Sequence, residues 1–426
     1  MLQENRSFDN LFAGFPGADT TMQGLCKAGP AWCKVAREVP LKPIPLAEGP
    51  AGLGGTDICH SHQCFELECD PDAANVCRND GFDLIDLGES QGGQPAKLYP
   101  YSYVRRSDVA AYWKLAKQYA LADEMFFTET AASFVAHQAI LSGTARLNGR
   151  ESLTDQPDAM PWGCDAPLGA ATAVIFKNGR VSEFGGPFPC FTQYRTIADL
   201  LDGANVSWRY YVDSFRVSYP DLSSFAWNGF DAIKKVRYGS DWKHDISSPN
   251  TNVLADVAAG TLPAVSWVVP ILNDSDHPAS GCNGGPRWVT KIVNAIGTSR
   301  YWKNTAIVVL WDDWGGWYDN VAPPQITYTR LGFRVPMIVI SPFAKPHAVS
   351  HSQYSFGSVL KFIEETFRLG SLGTSDASSN SISDIFDFAQ APTVFTPAPL
   401  PRARACAGST PNDLERIIQQ DGGPPD

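Results

Sequence analysis

The chain has 426 residues, 44% of them apolar and 19% charged, and its net charge is −11. This composition excludes wholesale disorder, supplies a sizeable core and indicates one large domain or two intertwined ones. The acidic balance, without a run of Lys or Arg, argues against a nucleic-acid partner, and no apolar stretch approaches the ~20 residues that span a bilayer.

Residues 20–100 are rich in Gly, Pro and Cys, which predicts an irregular, disulfide-rich insertion. The predicted strands and helices follow it. Short apolar runs ending in polar clusters predict buried parallel strands over residues 120–126, 206–212, 264–269, 305–310 and 335–340. Helical spacing predicts helices over residues 108–119, capped by Ser107, and over residues 196–201, 288–296 and 355–367. This alternation predicts an α/β domain with a mainly parallel sheet over residues 1–371 and an irregular tail over 372–426.

The ten cysteines are even in number, and no two of them have CxxC spacing. His60 and His62 lie within the cluster from Cys59 to Cys77 and could be extra ligands of a zinc knuckle, but this spacing fits no standard zinc pattern, so disulfides are the better interpretation. The sequence leaves the pairing of the cysteines open. Disulfides indicate an oxidising compartment, so we expect a secreted or periplasmic protein whose start, which lacks a signal peptide, was trimmed or misassigned.

An adjacent pair of carboxylates, Asp312 and Asp313, follows the predicted strand at 305–310. Ligands of open α/β sheets bind at the carboxyl ends of strands, and buried carboxylates need a cation nearby. The alternative is a solvated turn in which the carboxylates cap a helix. Glu4 and Asn5 offer further hard oxygen donors, which suit Mg²⁺, Ca²⁺ or Mn²⁺ better than Zn²⁺ when no His or Cys joins them.

Candidate catalytic side chains also follow predicted strands. Ser133 comes after small residues, as an exposed nucleophile requires, and no Gly-x-Ser-x-Gly motif indicates an acyl esterase. His277 lies beyond the strand ending at Val269, and His351 lies beyond the strand ending at Ile340. For each histidine taken alone, a buried role in hydrogen bonding is the alternative.

Five motifs in order resemble the phosphoesterase family, which contains bacterial phospholipases C, plant non-specific phospholipases C and certain secreted acid phosphatases. They are ENRSFD at 4–9, SFxxHQ…SGT at 133–144, SDHP at 275–278, DDWGGWYD at 312–319 and VPMIVISPFAK…VSHxxYxFGSVLKFIEE at 335–365. The resemblance extends from Gln3 to about Phe367. It implies a three-layer α/β sandwich similar to the alkaline phosphatase and sulfatase fold, with the cysteine-rich segment as an insertion.

The resemblance also implies a site with one divalent metal ion, which would be Ca²⁺, Mg²⁺, Mn²⁺ or Zn²⁺. Its ligands would be Glu4, Asn5, Ser133, Asp312 and Asp313. Ser133 matches the family's nucleophile and would form a phosphoseryl intermediate.

Histidines complete the implied site. His277 and His351 match the residues that hold the phosphate oxygens and protonate the leaving group, and these roles predict an acid optimum because the histidines must be charged. His60 matches a further active-site histidine, with His62 as the competing choice. The implied substrate is a phosphate ester, either a phospholipid met at a membrane surface or a phosphomonoester.

One departure from the family concerns the first strand, because only Met1, Leu2 and Gln3 precede the Glu-Asn pair where family members have a hydrophobic strand. We expect a truncated start. The alternative is a catalytically impaired, secreted binding protein of the same fold. A sulfatase is disfavoured because Ser133 is not followed by the Pro and Arg of a Cys/Ser-x-Pro-x-Arg motif. Head group and oligomeric state stay open.

Overall fold

The computed structural model describes residues 1–33, 37–46, 57–88, 93–213, 227–278, 284–324 and 331–402. Its strands, in chain order, are β1 Leu2–Gln3, β2 Gln23–Cys26, β3 Arg37–Pro40, β4 Lys42–Ile44, β5 Ser102–Val104, β6 Ala120–Ala122, β7 Glu151–Pro157, β8 Thr172–Phe176, β9 Val181–Ser182, β10 Trp208–Tyr211, β11 Ile246–Ser247, β12 Val265–Val268, β13 Ile307–Trp311, β14 Met337–Ile340 and β15 Ala348–Ser350. Its helices are α1 Phe8–Phe12, α2 His62–Cys69, α3 Ala110–Gln118, α4 Ser133–Ser142, α5 Ile197–Gly203, α6 Lys234–Arg237, α7 Asp241–His244, α8 Asn252–Ala259, α9 Gly285–Gly297, α10 Phe356–Phe367 and α11 Ser375–Ser378.

Two sheets carry the α/β architecture. The larger has the strand order β1-β13-β14-β6-β15, and the smaller has the order β11-β10-β12. Four of their six neighbouring strand pairs are parallel, which confirms the predicted mainly parallel α/β fold. Every residue of β14 is buried, so layers of the protein cover both faces of the larger sheet.

The direction of β14 corrects one prediction, because this strand is antiparallel to both β13 and β6. A parallel neighbour needs a crossover that carries the chain back along the sheet, usually as a helix. Among its described residues, the connection between Trp311 and Met337 contains no helix. The chain therefore turns at the end of β13 and returns beside it.

Most predicted elements occur with shifted ends. The strands predicted over 120–126, 206–212, 264–269 and 305–310 correspond to β6, β10, β12 and β13. The helices predicted over 108–119, 196–201, 288–296 and 355–367 correspond to α3, α5, α9 and α10, and Thr196 and Ser355 each form a capping box. Ser107 is not the cap of α3, which begins after Val109 without a side-chain cap, because Ser107 hydrogen bonds instead with Asp108.

The cysteine-rich segment confirms the predicted disulfides and is more regular than expected. Three short bridges, Cys26–Cys33, Cys59–Cys64 and Cys69–Cys77, hold it, and Cys164–Cys190 lies outside it. The segment contains the β2–β3 hairpin and α2, and β4 pairs with β5. Cys282, Cys406 and the tail beyond residue 402 lie outside the described residues. None of the described helices is long and apolar enough to cross a bilayer.

Candidate active site

The N-terminal pair Glu4 and Asn5 meets the acidic pair through β1, which is short but pairs in parallel with the end of β13. The Asp312 amide donates to the Gln3 carbonyl (3.1 Å), and the Asn5 amide donates to Asp312 Oδ1 (3.1 Å). β1 consists of two residues, Leu2 and Gln3. These two residues are enough to place Glu4 and Asn5 beside the carboxylates that follow β13.

Asp312 and Asp313 are buried, so the alternative of a solvated turn does not apply. The loop after them is held by the Gly315 amide, which donates to Asp313 Oδ1 (2.8 Å). Gly315 has φ +62°, and a Cβ at this position would lie 2.3 Å from the Asn5 carbonyl oxygen. Only glycine allows this close approach between the two acidic segments.

Ser133 is the first residue of α4 and points into the same cluster. Its Oγ donates to Asp313 Oδ2 (3.2 Å) and lies 3.4 Å from Asn5 Oδ1. Ala131 and Ala132 precede it and are buried, so small side chains let the helix begin close to the carboxylates. The positive end of a helix favours negative charge, which suits both a serine alkoxide and a phosphate group at this position.

His137 belongs to the cluster although the sequence analysis did not select it. Its Nε2 lies 3.0 Å from Glu4 Oε1 and 3.7 Å from Asp312 Oδ2, and all three side chains are fully buried. His137 is four residues after Ser133 on α4, so both side chains lie on one face of the helix. This four-residue spacing from Ser133 is the signal in the sequence that could have identified His137.

His60 holds Asn5 in place. The Asn5 Nδ2 amide donates to His60 Nε2 (2.9 Å), and His60 Nδ1 donates to the Ile58 carbonyl (2.7 Å). With Nδ2 committed to His60, the Asn5 oxygen faces Ser133. His277 is buried 6.3 Å from His60 between ring centroids, so these two predicted histidines lie together.

Two other histidines have different environments. His62 Nδ1 hydrogen bonds with Thr130 (2.8 Å to Oγ1), so of the two competing residues it is His60 that contacts Asn5. The His351 side chain is 62% exposed and pairs with Asp123 (2.9 Å). His351 directly follows β15, which runs in the same direction as β1 and β13 but lies at the opposite edge of the sheet from β1. Its described contacts do not include the buried cluster.

The loop that carries His277 is anchored by the first motif. Arg6 Nε donates to the Asp276 carbonyl (2.9 Å), and Asp276 Oδ2 accepts from Tyr112 Oη (2.8 Å) and Trp311 Nε1 (3.1 Å). Burial raises the pKa of Asp276 to about 7, and the two hydrogen bonds oppose the shift. Arg6 therefore connects the segment of Glu4 and Asn5 to the loop that carries His277.

The donor set of the cluster fits a divalent cation. Glu4, Asp312 and Asp313 bring three buried carboxylates together, and Asn5 adds an amide oxygen. Asp312 Oδ2 is buried without a hydrogen-bond partner in the described part of the chain. Burying carboxylates without a compensating cation is costly, and oxygen-rich sets of this kind bind divalent metal ions.

The model of the phosphoesterase family matches residues 1–370. The chain belongs to the phosphoesterase family. It is therefore a hydrolase of phosphoric ester bonds, and the resemblance inferred from the five motifs is confirmed.

Curated relatives of this phosphoesterase include bacterial and plant proteins. Phospholipase C A of Mycobacterium tuberculosis is 25% identical over 93% of this chain and 78% of its own length. The non-hemolytic phospholipase C of Burkholderia pseudomallei is 25% identical over 86% of this chain and 54% of its own length. Non-specific phospholipase C6 of Arabidopsis thaliana is 26% identical over 39% of this chain and 38% of its own length.

Solved structures similar to this phosphoesterase include an alkaline phosphatase superfamily protein from Vibrio parahaemolyticus, with a TM-score of 0.36 and 10% identity over 65% of each chain. A phosphonate monoester hydrolase from Silicibacter pomeroyi has a TM-score of 0.33 and 10% identity, covering 68% of this chain and 73% of its own. These scores are too low to carry an argument, and the fold described above rests on the strand pairing.

Proposed function

We propose that this phosphoesterase hydrolyses phosphate esters with one divalent metal ion and with Ser133 as the nucleophile, through a phosphoseryl intermediate. The observation that supports this proposal is the position of Ser133 Oγ, 3.2 Å from Asp313 Oδ2 and 3.4 Å from Asn5 Oδ1. A serine that starts a buried helix and points at an acidic cluster has a local environment suited to phosphoryl transfer.

The metal ion would be held by Glu4, Asn5, Ser133, Asp312 and Asp313. When bound, it supplies positive charge that lowers the pKa of the serine hydroxyl and stabilises the charge on a phosphoryl oxygen. His60 acts as a positioning residue, because its hydrogen bond turns the Asn5 oxygen toward Ser133. Gly315 holds the two acidic segments together.

The residues of the chain divide the reaction into two displacements. The Ser133 hydroxyl passes its proton toward Asp313 Oδ2, and Oγ attacks phosphorus as the bond from phosphorus to the leaving oxygen breaks. His277 donates a proton to the leaving oxygen, which departs as an alcohol. Water then attacks the phosphoserine in line and gives its proton to the now neutral His277. The bond from phosphorus to Oγ breaks, Asp313 returns its proton to Ser133 Oγ, and the phosphate product leaves.

The predicted role of His351 on the phosphate oxygens stays a prediction. Its exposed side chain and its pairing with Asp123 make His277 the better assignment for the leaving group. The alternative of an impaired binding protein is weakened because Glu4, Asn5 and Ser133 lie together with Asp312 and Asp313. The sulfatase alternative has no support, since Phe134-Val135-Ala136 follows Ser133 where a sulfatase motif would have Pro two residues later.

The proposed substrate is a phosphodiester of the phospholipid class, cleaved on the diacylglycerol side as a phospholipase C does. Its support is that the curated relatives described above are named phospholipases C. An acid phosphatase, which would take a phosphomonoester with the same core residues, is the second candidate. The four disulfides support export to the periplasm or outside the cell.

The test of the nucleophile is Ser133→Ala, with Ser378→Ala as the control because Ser378 is exposed on α11. We expect kcat on p-nitrophenylphosphorylcholine to fall by about 10⁴-fold or more in Ser133→Ala and to stay unchanged in the control. Acid quenching during turnover should leave phosphate on the wild-type peptide containing Ser133. Full activity of Ser133→Ala with an unchanged melting temperature would refute the assignment.

The substrate class is tested by comparing p-nitrophenylphosphorylcholine with p-nitrophenyl phosphate, each with and without a chelator. A phospholipase C cleaves the diester faster, and an acid phosphatase cleaves the monoester faster. Loss of either activity on chelation, with recovery on adding metal, is expected from the buried carboxylates. No turnover of either compound with metal present would favour the impaired binding protein.

A further inference from the structure

His137 lies where a nitrogen ligand of the proposed metal would lie. Its Nε2 is 3.0 Å from Glu4 Oε1 and 3.7 Å from Asp312 Oδ2, and ligand atoms of these three residues all lie within 4.8 Å of one another. The three residues come from different parts of the fold, because Glu4 follows β1, Asp312 follows β13 and His137 lies on α4.

The charges around His137 indicate that it is more than a partner for Glu4. Three carboxylates, Glu4, Asp312 and Asp313, are buried in this cluster, and a protonated imidazole would supply only one positive charge. Asp312 Oδ2 has no hydrogen-bond partner in the described ranges. A divalent cation shared by Asp312, Glu4 and His137 would satisfy this oxygen and balance the charge that the imidazole leaves uncompensated.

The orientation of the imidazole is constrained by packing. His137 lies on a helix whose residues are all buried, and the ring of Trp227 is parallel to the imidazole within 7°, 6.5 Å away between centroids. Gly229 approaches the His137 backbone so closely that a Cβ would lie 2.6 Å from its carbonyl oxygen. The Trp227 ring and the Gly229 backbone therefore limit the space around His137, whose Nε2 lies 3.0 Å from Glu4 Oε1.

We propose that His137 Nε2 is a ligand of the metal together with Glu4 and Asp312, and that the site therefore prefers Zn²⁺ or a similar transition-metal ion over Ca²⁺ and Mg²⁺. Imidazole nitrogen suits Zn²⁺, Fe²⁺ and Co²⁺, whereas Ca²⁺ and Mg²⁺ prefer all-oxygen sets. This inference rests on the proposed metal dependence and adds a ligand that the sequence motifs did not indicate.

The experiment compares metal binding by wild-type protein, His137→Gln and the control His244→Gln, which replaces an exposed histidine at the end of α7. Each protein is stripped with a chelator, then titrated with Co²⁺ followed by visible absorption, with Zn²⁺ in competition, and separately with Ca²⁺. We expect His137→Gln to weaken Co²⁺ and Zn²⁺ binding by at least about 10-fold and to change Ca²⁺ binding little. The control should match wild type.

The outcomes separate this inference from the proposed function. Wild-type protein that takes up no metal refutes both. Wild-type protein that binds metal, with His137→Gln showing the same affinities and the same Co²⁺ spectrum, refutes only the role of His137. Preference of the wild type for Ca²⁺ over Zn²⁺ also refutes the inference while leaving metal-dependent hydrolysis intact.

A measurement on the wild type guards against a variant that fails to fold. X-ray absorption of the Zn²⁺-loaded protein should show scattering from an imidazole ligand, and an all-oxygen shell would overturn the proposal. Where His137→Gln keeps its melting temperature without metal, the imidazole signal should disappear from its spectrum and persist in His244→Gln. Persistence of the signal in His137→Gln would assign the nitrogen to another histidine and overturn the proposal.

Discussion

Single residues decide whether the two acidic segments of the site can meet, and Gly315 is the clearest example. Its amide holds Asp313, and its α-carbon packs against the backbone of Asn5. Gly373 also has a positive φ, +76°, but an added Cβ there would meet nothing within 4 Å. Alanine at Gly373 would therefore cost only the strain of a left-handed backbone, whereas alanine at Gly315 would add the steric clash with Asn5.

We expect Gly315→Ala to lower the free energy of unfolding by about 3 kcal/mol or more and Gly373→Ala by about 1 kcal/mol. The difference arises because only Gly315→Ala pushes a methyl group against the Asn5 carbonyl. Displacing Asn5 should also reduce kcat by about 100-fold or more, whereas Gly373→Ala should retain wild-type kcat. Urea unfolding and steady-state assays check both values, and equal losses in the two variants would contradict the argument.

At the scale of elements, the start of α2 is tied to the site by a disulfide. Cys59–Cys64 closes a short loop that contains His60, whose Nε2 holds Asn5. Cys26–Cys33 closes a loop of similar length, with a sequence separation of 7 against 5. The two bridges should therefore restrict the unfolded chain to a similar extent but differ in what they position.

Replacing both cysteines of either bridge by serine should cost about 2 kcal/mol of stability, as closure of a short loop predicts. Only the Cys59/Cys64 variant should lose activity, because only its bridge holds the segment of His60. Melting temperatures and kcat on p-nitrophenylphosphorylcholine measure the two effects. A normal kcat in the Cys59/Cys64 variant, or an equal loss of kcat in the Cys26/Cys33 variant, would show that this bridge does not position the site.

For the whole molecule, buried carboxyl groups determine how stability depends on pH. Burial raises the pKa of Glu129, Asp231 and Asp276 to about 7 in each case. Between about pH 4 and pH 7 these groups hold protons in the folded protein that the unfolded chain has released. Stability therefore falls as pH rises through this window, and below it the full contribution is present. Asp70 and Asp256 have lowered pKa values, but they are less buried and titrate at lower pH.

We accordingly expect the free energy of unfolding, measured by urea with a chelator present, to decrease from pH 5 to pH 8. Each of the three groups contributes up to about 1.4 kcal/mol per pH unit within the window. Asp276→Asn should make the decrease shallower, because it removes one of the titrating groups. Stability that rises steadily from pH 5 to pH 8 would contradict this expectation.

The histidines show why part of the site was predictable and part was not. His277 was selected from the SDHP motif and His60 from the family resemblance; their rings lie 6.3 Å apart, and His60 hydrogen bonds with Asn5. His351 was placed beyond the strand ending at Ile340, but it follows β15, the edge strand farthest from β1, where its side chain is exposed. His137 contacts Glu4 across 133 positions of sequence, a contact that no local pattern encodes.

The sequence by itself determined the α/β class, the family, the disulfide-rich character and the convergence of Glu4, Asn5, Ser133, Asp312 and Asp313. The α/β class follows from local patterns, because apolar runs specify strands, whereas the family and the joint site of these residues follow from the resemblance of the five motifs to the phosphoesterase family. Only the tertiary structure decided the direction of β14, the environments of the individual histidines and the entry of His137 into the cluster. Those features depend on how distant segments pack, since a helix and two strands must meet before an imidazole can face two carboxylates.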